Sequence, residues 1–420
     1  MFTSFSTALS GLNANSTAID VVGNNLANLN TTGFKTSQVE FQSLVTQSLG
    51  AGLGDTQVGF GTGEPLTTME FTQGAVQTSS GAMDAAIQGD GFFVVSDSSG
   101  NNLYTRAGNF EVDSSGNLMT DTGDYVQGWT TIDPSTGTLN TNGPIGNIVV
   151  PVGTLSPPVA TTQLSVGVNL NAAATVYSST DTSSDFSTPV TVYDSLGTSH
   201  VLTVDFQNAG NNTWNYNVTI PGADVGSTDT SVSVATGSLT FDPNGQLDSA
   251  NASPVTLTIS GLADGASDMS VNWNLFNGTT GNVTQFAQPS AESSSSQNGS
   301  AAAELVNVGL GNGGTILAQY SNGDQVTVGQ VAMASIVNPD SLIAVGSNNF
   351  QTSSQTATPS IGMPGTGGRG DIEGGSLEAS TVDIATEFTN LMVYQRAYEA
   401  DSRVITTADT LSQDTINLIH

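Results

Sequence analysis

The stretch from Ser376 to His420 contains neither glycine nor proline, in a chain of 420 residues that holds 48 Gly and 14 Pro. Apolar side chains recur in it at seven-residue steps, through Ile384, Leu391, Tyr398 and Ile405. This spacing predicts one long amphipathic helix, with Ser380 as its N-terminal cap. The same side of that helix is completed, at offsets of three or four residues, by Phe388, Tyr394, Ala408 and Leu411.

A second apolar stripe lies at the other end of the chain, where residues 3 to 29 predict a helix. Phe5, Leu12, Ile19 and Leu26 follow one another at steps of seven, and Leu9 lies between the first two. One interpretation is a helix that packs on its own globular domain. In the other interpretation this helix pairs with the C-terminal helix, and the apolar stripes of the pair join neighbouring copies of the chain. Because both stripes lie at the ends of a chain whose middle is patterned as strands, the second interpretation is favoured.

The middle of the chain predicts two blocks of short strands. Apolar runs at Phe92–Val95, Leu103–Tyr104, Phe110–Val112 and Tyr125–Gln127 form the first. Alternating segments at 190–206, 212–220, 237–247, 254–259 and 269–276 form the second, which favours a sandwich or barrel. A proline-containing hinge is predicted between the blocks at 146–160, and a Ser-rich connector at 289–304.

An Asp-x-x-Gly unit recurs at the ends of the predicted strands. It begins at Asp97, Asp113, Asp194 and Asp242. Asp at the first and Gly at the fourth position of a four-residue turn are typical of a type I turn with a bulge-forming glycine. Hairpin turns are therefore predicted at these sites. A calcium loop is the alternative, but no run supplies the alternating carboxylates and terminal Glu of a dedicated loop.

Composition excludes several classes of protein. The net charge is −31, from 5 Lys+Arg against 36 Asp+Glu, which disfavours nucleic acid and anionic membranes as partners. There is no Cys, and two His cannot build a His-based metal cluster, so no cofactor or metal site is predicted. Gly50, Gly52 and Gly54 lack the following Gly-Lys-Ser/Thr of a phosphate loop. No apolar run is long enough to insert in a membrane, and the N-terminus lacks the pattern of a cleaved secretory signal.

Both ends of the chain carry longer motifs with a specific resemblance. NNLANLNTTGFK at 24–35 and GSLEASTVDIATEFTNLMVYQRAYEADSRVI at 375–405 resemble the signature segments of the bacterial flagellar rod and hook protein family. The strand block that begins near Gly74 also resembles that family's β-rich core. The residues of the N-terminal signature are Asn24, Asn25, Leu26, Ala27, Asn28, Thr32, Gly33, Phe34 and Lys35.

The resemblance implies an α+β, mainly β fold with nested domains. The long N- and C-terminal helices would pair as a coiled-coil-like inner domain (1–30 plus 376–420), followed by extended Gly-rich connectors (31–73 plus 360–375). An inner β domain (74–147 plus 286–359) would enclose an outer one (148–285). The subunit-interface residues implied are Phe5, Leu9, Leu12, Ile19, Leu26, Ile384, Phe388, Leu391, Tyr398, Ile405 and Leu411.

The same resemblance implies a structural subunit of the flagellar hook and not an enzyme. Many copies would polymerise into a flexible tube outside the cell that transmits torque from rod to filament. The implied partners are rod and hook–filament junction proteins, the hook cap during assembly, and the flagellar type III export apparatus, with no cleaved signal. A rod or other axial component is the alternative, and a secreted β-rich enzyme is a remote one that lacks a credible Ser-His-Asp set.

Overall fold

The structure is a computed structural model that describes residues 2–44, 47–48, 57–132, 138–177, 186–248 and 255–417. The glycines at 50, 52 and 54, and His420, lie outside these ranges. The chain divides into two compact units. The first contains residues 1–152, 307–319 and 325–420, and the second contains 153–306 and 320–324. The first unit therefore holds both ends of the chain.

Two long α-helices belong to the first unit. Helix α1 spans Phe2–Ala27 and helix α2 spans Ile384–Asn417. Within the described residues, no helix has the combination of length and apolar character that crossing a membrane requires. Short 3₁₀ turns are present at Gly222–Val225, Asn312–Gly314 and Pro339–Ser341.

Strands form most of the remaining regular structure. Those before residue 153 are β1 Ser37–Glu40, β2 Gln47–Ser48, β3 Gln57–Val58, β4 Leu66–Met69, β5 Val76–Thr78, β6 Ala85–Gln88, β7 Phe92–Ser96, β8 Asn102–Thr105, β9 Phe110–Val112, β10 Leu118–Thr120, β11 Tyr125–Trp129 and β12 Gly146–Asn147. Those from 153 to 297 are β13 Leu155–Ser156, β14 Gln163–Asn171, β15 Phe186–Tyr193, β16 Ser199–Gly210, β17 Thr213–Pro221, β18 Ser231–Thr240, β19 Val255–Ile259, β20 Met269–Trp273, β21 Phe276–Asn277, β22 Thr280–Gly281, β23 Val283–Phe286 and β24 Ala291–Gln297. The last are β25 Ala303–Leu310, β26 Thr315–Tyr320, β27 Gln325–Val331, β28 Met333–Ser335, β29 Ile343–Gly346, β30 Asn349–Gln351, β31 Ser360–Gly362, β32 Asp371–Gly374 and β33 Ser376–Glu378.

The main sheet of the first unit is antiparallel and mixes strands from distant parts of the chain. Its path runs β27-β11-β7-β8-β30-β29, so strands near residue 100 pair with strands near residue 350. Phe71, Phe92 and Phe350 meet edge to face over this sheet, with centroids 5.2 to 6.1 Å apart. Two further ladders, β6 with β32 and β5 with β33, connect the sheet region to the segment that enters α2.

The second unit is a β-sandwich. One sheet is the meander β15-β16-β17-β18, and the other has the order β19-β20-β14-β23 with β24 also paired to β14. Burial alternates along β15 and β20, because every second side chain faces the core between the sheets. Trp273 lies at the centre of that core, edge to face with Phe206 at 6.3 Å and Tyr216 at 5.3 Å.

The predicted Asp-x-x-Gly hairpin turns are confirmed. In the turn at Asp97, Gly100 donates to the Asp97 carbonyl at 3.0 Å and has φ +84°. The Asp97 carboxylate accepts the amides of Ser99 and Asn101, each at 2.8 Å, which explains the need for Asp at the first position. The turns at Asp113, Asp194 and Asp242 repeat the arrangement, with their glycines at φ +77° to +87°.

Two local predictions are wrong. The Ser-rich segment at 289–304 is not only a connector, because Ala291–Gln297 forms strand β24 along β14. Its serines are exposed, but its backbone forms a ladder of hydrogen bonds with β14, which amino-acid composition does not indicate. The N-terminal cap of α2 is Asp383 and not Ser380: Asp383 Oδ1 accepts the amides of Ala385 at 2.8 Å and Thr386 at 3.0 Å. Ser380 lies between the end of strand β33 at Glu378 and the start of the helix at Ile384.

Candidate functional site: the terminal helices and the ion cluster beside them

Helices α1 and α2 lie side by side and antiparallel. Asn15 Nδ2 donates to Asp401 Oδ2 at 3.0 Å, and ten residues later Asn25 Nδ2 donates to Glu387 Oε1 at 3.0 Å. The Asp401 side chain packs directly over Gly11, where an added Cβ would lie 2.7 Å from Asp401 Oδ2. The two ends of the chain are therefore brought together within the first unit.

The contact between the helices uses small and polar side chains. On α1 the buried positions are Ala8, Ala14, Ala18 and Val22, with Asn25 at the end. On α2 the less exposed positions follow the line Glu387, Asn390, Tyr394, Ala397 and Asp401. This line is rotated from the stripe through Ile384, Leu391 and Tyr398, so the largest apolar side chains do not fill the intramolecular contact.

The predicted interface residues divide into two groups by exposure. Those that are half-buried are Leu12, Ile19, Leu26, Leu391 and Ile405. Those that are exposed, with between 37% and 55% of their surface open, are Phe5, Leu9, Ile384, Phe388, Tyr398 and Leu411. Met392, Val393, Val404 and Ile416 of α2 are exposed as well. The chain alone thus leaves much of the apolar surface of both helices in solvent, which is unusual for a stable monomer.

Residues of the N-terminal signature fasten the end of α1. Asn25 is buried, and its side chain exchanges two hydrogen bonds with Ser37: Nδ2 donates to the Ser37 carbonyl at 2.8 Å and Oδ1 accepts the Ser37 amide at 3.1 Å. Asn28 Nδ2 donates back to the Asn24 carbonyl at 2.9 Å. Asn24 and Ala27 are exposed, and Leu26, Thr32 and Phe34 are half-buried.

A buried ion cluster lies where the signature segments meet. Lys35 Nζ is 2.6 Å from Glu378 Oε1, and Arg106 NH1 is 3.2 Å from Glu378 Oε2. All three side chains are almost entirely buried. Lys35 also donates to the Thr72 carbonyl at 2.6 Å, and Arg106 donates to the Gly89 carbonyl at 2.9 Å. One carboxylate therefore joins the segment after α1, the main β region and the segment before α2.

The cluster sets two cations against one carboxylate. Burial lowers the pKa of Lys35, and the attraction and hydrogen bond of Glu378 oppose that shift. Glu378 also accepts a hydrogen bond from the amide of Gly74 at 2.7 Å, so both of its carboxylate oxygens are hydrogen-bonded. Arg106 lies over the ring of Phe92, 5.4 Å from its centroid, while its buried Nε has no partner among the described residues. Removal of Glu378 would leave two buried cations without a counter-charge.

Gly33 of the signature has a steric reason to be glycine. Its φ is +67°, and a Cβ there would lie 2.6 Å from the backbone carbon of Arg106. Its amide donates to the Glu378 carbonyl at 2.8 Å. Both the backbone conformation and the close approach therefore exclude a side chain.

The sequence did not reveal that Lys35 and Arg106 both pair with Glu378. The sequence signal that could have found the cluster is the scarcity of basic residues. With only five Lys and Arg in 420 residues, each one is a candidate for a specific ion pair. Sequence separations of 272 and 343 residues gave no indication of which carboxylate they meet.

A second polar cluster lies in the sandwich unit around His200. Its Nδ1 is 3.0 Å from Asp224 Oδ2 and its Nε2 is 3.2 Å from Asp194 Oδ2. Burial opposes protonation, but the bonds to Asp224 and Asp194 outweigh it and raise the pKa of His200. Burial would raise the pKa of Asp194, yet hydrogen bonds with Asp264 and His200 and from the Thr198 and Leu196 amides bring it to about 2.

Asp194, His200 and Asp264 each offer a potential ligand atom within 4.8 Å of the others. Both ring nitrogens of His200 already face carboxylates, however, which favours an imidazolium ion between them. An imidazolium cannot ligate a metal, so this geometry is that of a buried ion pair.

Comparison with protein-family models places four matches along the chain. The flagella basal body rod protein model matches residues 5–35, and the C-terminal model of the flagellar basal body rod FlgEFG proteins matches 373–418. Between them, the flagellar hook protein FlgE/F/G D1 domain matches 86–169 and the flagellar basal body protein FlaE D2 domain matches 168–300. Together they define the class as the flagellar rod and hook proteins.

Full-length relatives narrow the class. The chain is 33% identical to the flagellar hook protein FlgE of Borreliella burgdorferi, over 100% of both chains. It is 32% identical to that of Salmonella typhimurium (99% of this chain, 100% of the relative) and 31% identical to that of Escherichia coli K12 (99% of each). The chain belongs to the flagellar hook protein FlgE family, which consists of structural proteins and not enzymes.

A solved structure supports the fold. The crystal structure of Helicobacter pylori flagellar hook protein FlgE2 matches with a TM-score of 0.53 at 15% identity, covering 71% of this chain and 99% of that one. The expected mainly β fold with packed terminal helices is confirmed. The four-part domain boundaries and the subunit-interface residues stay predictions.

Proposed function

We propose that this chain is a structural subunit of the bacterial flagellar hook, and that copies of it assemble into a tube through the paired terminal helices. The observation that carries the proposal is the unfilled apolar surface of α1 and α2. Phe5, Leu9, Ile384 and Phe388 are each at least two-fifths exposed in the single chain, on helices that are already paired with each other. Burial of such side chains between copies would supply the association energy.

The finer parts of the proposal follow from family membership. The helices would line the inner wall of the tube, and the inner and outer β domains expected from the sequence would lie outside them. Rod proteins, hook–filament junction proteins and the cap would bind at the ends of the polymer. The subunit would leave the cell through the flagellar type III apparatus without loss of a signal peptide.

A flexible joint requires contacts that rearrange at little cost. The sandwich unit has no Lys or Arg between residues 153 and 306, and its surface strands carry Ser, Thr and Asn, as in β24. Polar, hydrated contacts between copies rearrange more readily than interlocked apolar ones. The helices would keep the same neighbours while the outer β domains of adjacent copies slide past one another, as a bending tube requires.

Polymerisation of the purified chain tests the proposal. We expect tubes by electron microscopy when the full chain is concentrated in salt. Phe388→Ser should raise the concentration needed for assembly about tenfold or more, since interface aromatics contribute 2 kcal/mol or more when they are hot spots. Thr389→Ser, at the neighbouring exposed position, is the matched control and should assemble normally. A full chain that stays monomeric under all conditions would refute the proposal.

The alternative of a rod or other axial component shares the terminal segments. The block matched at 168–300 by the D2 model and the length of the hook relatives favour the hook. Tubes that bend freely support the hook assignment, whereas straight, stiff tubes support the rod alternative.

A further inference from the structure

A polar cavity of about 390 Å³ lies between α1, α2 and strand β1. Its walls include Val21 and Val22 of α1, Tyr394 of α2, and three acidic residues: Glu70, Asp383 and Glu387. The cavity is lined by no basic residue. Its lining combines apolar side chains with carboxylates, which suits a long side chain with a cationic head.

Glu387, which lines this cavity, is incompletely hydrogen-bonded. The residue is only 5% exposed, and its Oε1 accepts the hydrogen bond from Asn25. Its Oε2 is buried and has no partner among the described residues. Burial raises the pKa of Glu387, the bond from Asn25 opposes the shift, and the nearby charge of Asp383 adds to it. A buried carboxylate oxygen without a donor costs free energy, so a donor that reaches it is stabilising.

The chain holds five basic side chains, and three of them are already engaged. Lys35 and Arg106 bind Glu378, and the guanidinium of Arg369 donates to the carbonyls of Ser360 and Met363 and to Thr366 Oγ1. Arg396 and Arg403 remain. Both are exposed on α2 and make no ion pair within the described part of the chain. Glu399 lies four residues before Arg403 on α2, but the two side chains form no ion pair at 4 Å or less.

Neither arginine can reach Glu387 of its own chain. Arg396 is nine residues from Glu387, which puts it on the opposite face of α2 and about 13 Å further along the helix axis. Arg403 is further still. A guanidinium that pairs with Glu387 must therefore come from another molecule.

We propose that the occupant is a second copy of this chain, which inserts an arginine of α2, Arg396 or Arg403, to pair with Glu387 and Asp383. This contact rests on the proposed function, since it is formed between copies in the polymer. It explains why a subunit with a net charge of −31 keeps two unpaired cations on the helix whose apolar face is also exposed. Each copy would supply both an arginine and a cavity, so the contact repeats from copy to copy.

Substitutions at both ends of the proposed pair test it in the full chain. Glu387→Gln keeps the shape and the Asn25 contact but removes the charge, and should raise the critical concentration for polymerisation about tenfold or more. Arg396→Gln and Arg403→Gln identify the donor. The true donor should show no further loss when combined with Glu387→Gln, whereas the other arginine should add its effect independently. Thermal unfolding of the unassembled chain separates a folding defect from an assembly defect.

Asp383→Asn is the second acidic variant, in case Glu387→Gln does not fold. Asn is an equally good helix cap, so α2 should keep its N-terminus while the cavity loses a charge. Normal polymerisation of both acidic variants, or additive effects with both arginines, would overturn the contact and leave the hook assignment in place. A wild-type chain that never polymerises would refute both.

Discussion

Glu378 is the residue on which the junction of the first unit depends most. It is fully buried and balances Lys35 at 2.6 Å and Arg106 at 3.2 Å. The pair energies of buried ions are offset by desolvation, but loss of one partner exposes the full cost of the charges left behind. Loss of any one residue of the cluster should therefore weaken the junction of all three distant segments.

We expect Glu378→Gln to destabilise the first unit by about 3–5 kcal/mol, because two buried cations lose their counter-charge. Urea unfolding, with hydrogen exchange of the amides around residues 33–37 to localise the effect, measures it. Glu111→Gln, an exposed position on β9, should stay within about 0.5 kcal/mol. If both variants changed the free energy of unfolding by the same small amount, the cluster would not stabilise the junction.

His200 predicts a pH dependence in the second unit. Its folded pKa is raised, so its contribution to stability is complete below the unfolded value of about 6.5 and is lost as pH rises through the folded pKa. The chain has no Cys, and its only other His is at position 420, so few side chains titrate in this window. We expect the melting temperature of the second unit to fall by a few degrees toward pH 9.

The matched measurement uses His200→Gln. This variant should be less stable than wild type at pH 6, and its melting temperature should depend much less on pH between pH 6 and 9. Asp194 titrates with the opposite sign: its stabilisation is lost as pH falls through about 2. An unchanged slope in His200→Gln would contradict the buried imidazolium.

At the scale of elements, the helix pair shows what sequence periodicity can and cannot give. The seven-residue steps correctly predicted two long helices, now bounded at Phe2–Ala27 and Ile384–Asn417. They did not predict which face meets the partner helix, since the buried line on α1 runs through Ala14, Ala18 and Val22. Periodicity identifies an apolar face, but a face reserved for another copy has the same pattern as one used within the chain.

A larger side chain in the helix contact should separate the two helices. Ala18 is completely buried, so we expect Ala18→Leu to cost about 1–3 kcal/mol through overpacking and to impair assembly. Ala400→Leu, at an exposed position of α2, is the size-matched control for folding. Helix content by circular dichroism and unfolding in urea measure the difference. If Ala18→Leu were as stable as wild type, the two helices would not be in close contact.

At the scale of the whole molecule, the net charge opposes association. Each subunit carries −31, so copies repel one another at low ionic strength. Raising salt from about 0.01 M to 0.15 M shortens the screening length from about 30 Å to about 8 Å. We expect the critical concentration for polymerisation to fall over this range, measured by sedimentation. A rise would indicate that attraction between opposite charges, and not apolar burial, dominates assembly.

The overall organisation was predictable only in part. Strand runs such as Phe92–Val95 and the Asp-x-x-Gly turns are local signals, and both are found in the structure. The pairing of β8 with β30, almost 250 residues apart, is not local, and no propensity encodes it. For the same reason the ion cluster at Glu378 and the pairing of the Ser-rich strand β24 with β14 were not foreseen.

An electron cryomicroscopy map of the assembled polymer tests the central claim most directly, because it shows what covers the exposed faces of α1 and α2. The account predicts that Phe5, Leu9, Ile384 and Phe388 are buried against helices of neighbouring copies along the inner wall of the tube. A map in which these four side chains stay in solvent, or in which both helices lie on the outer surface, would contradict it.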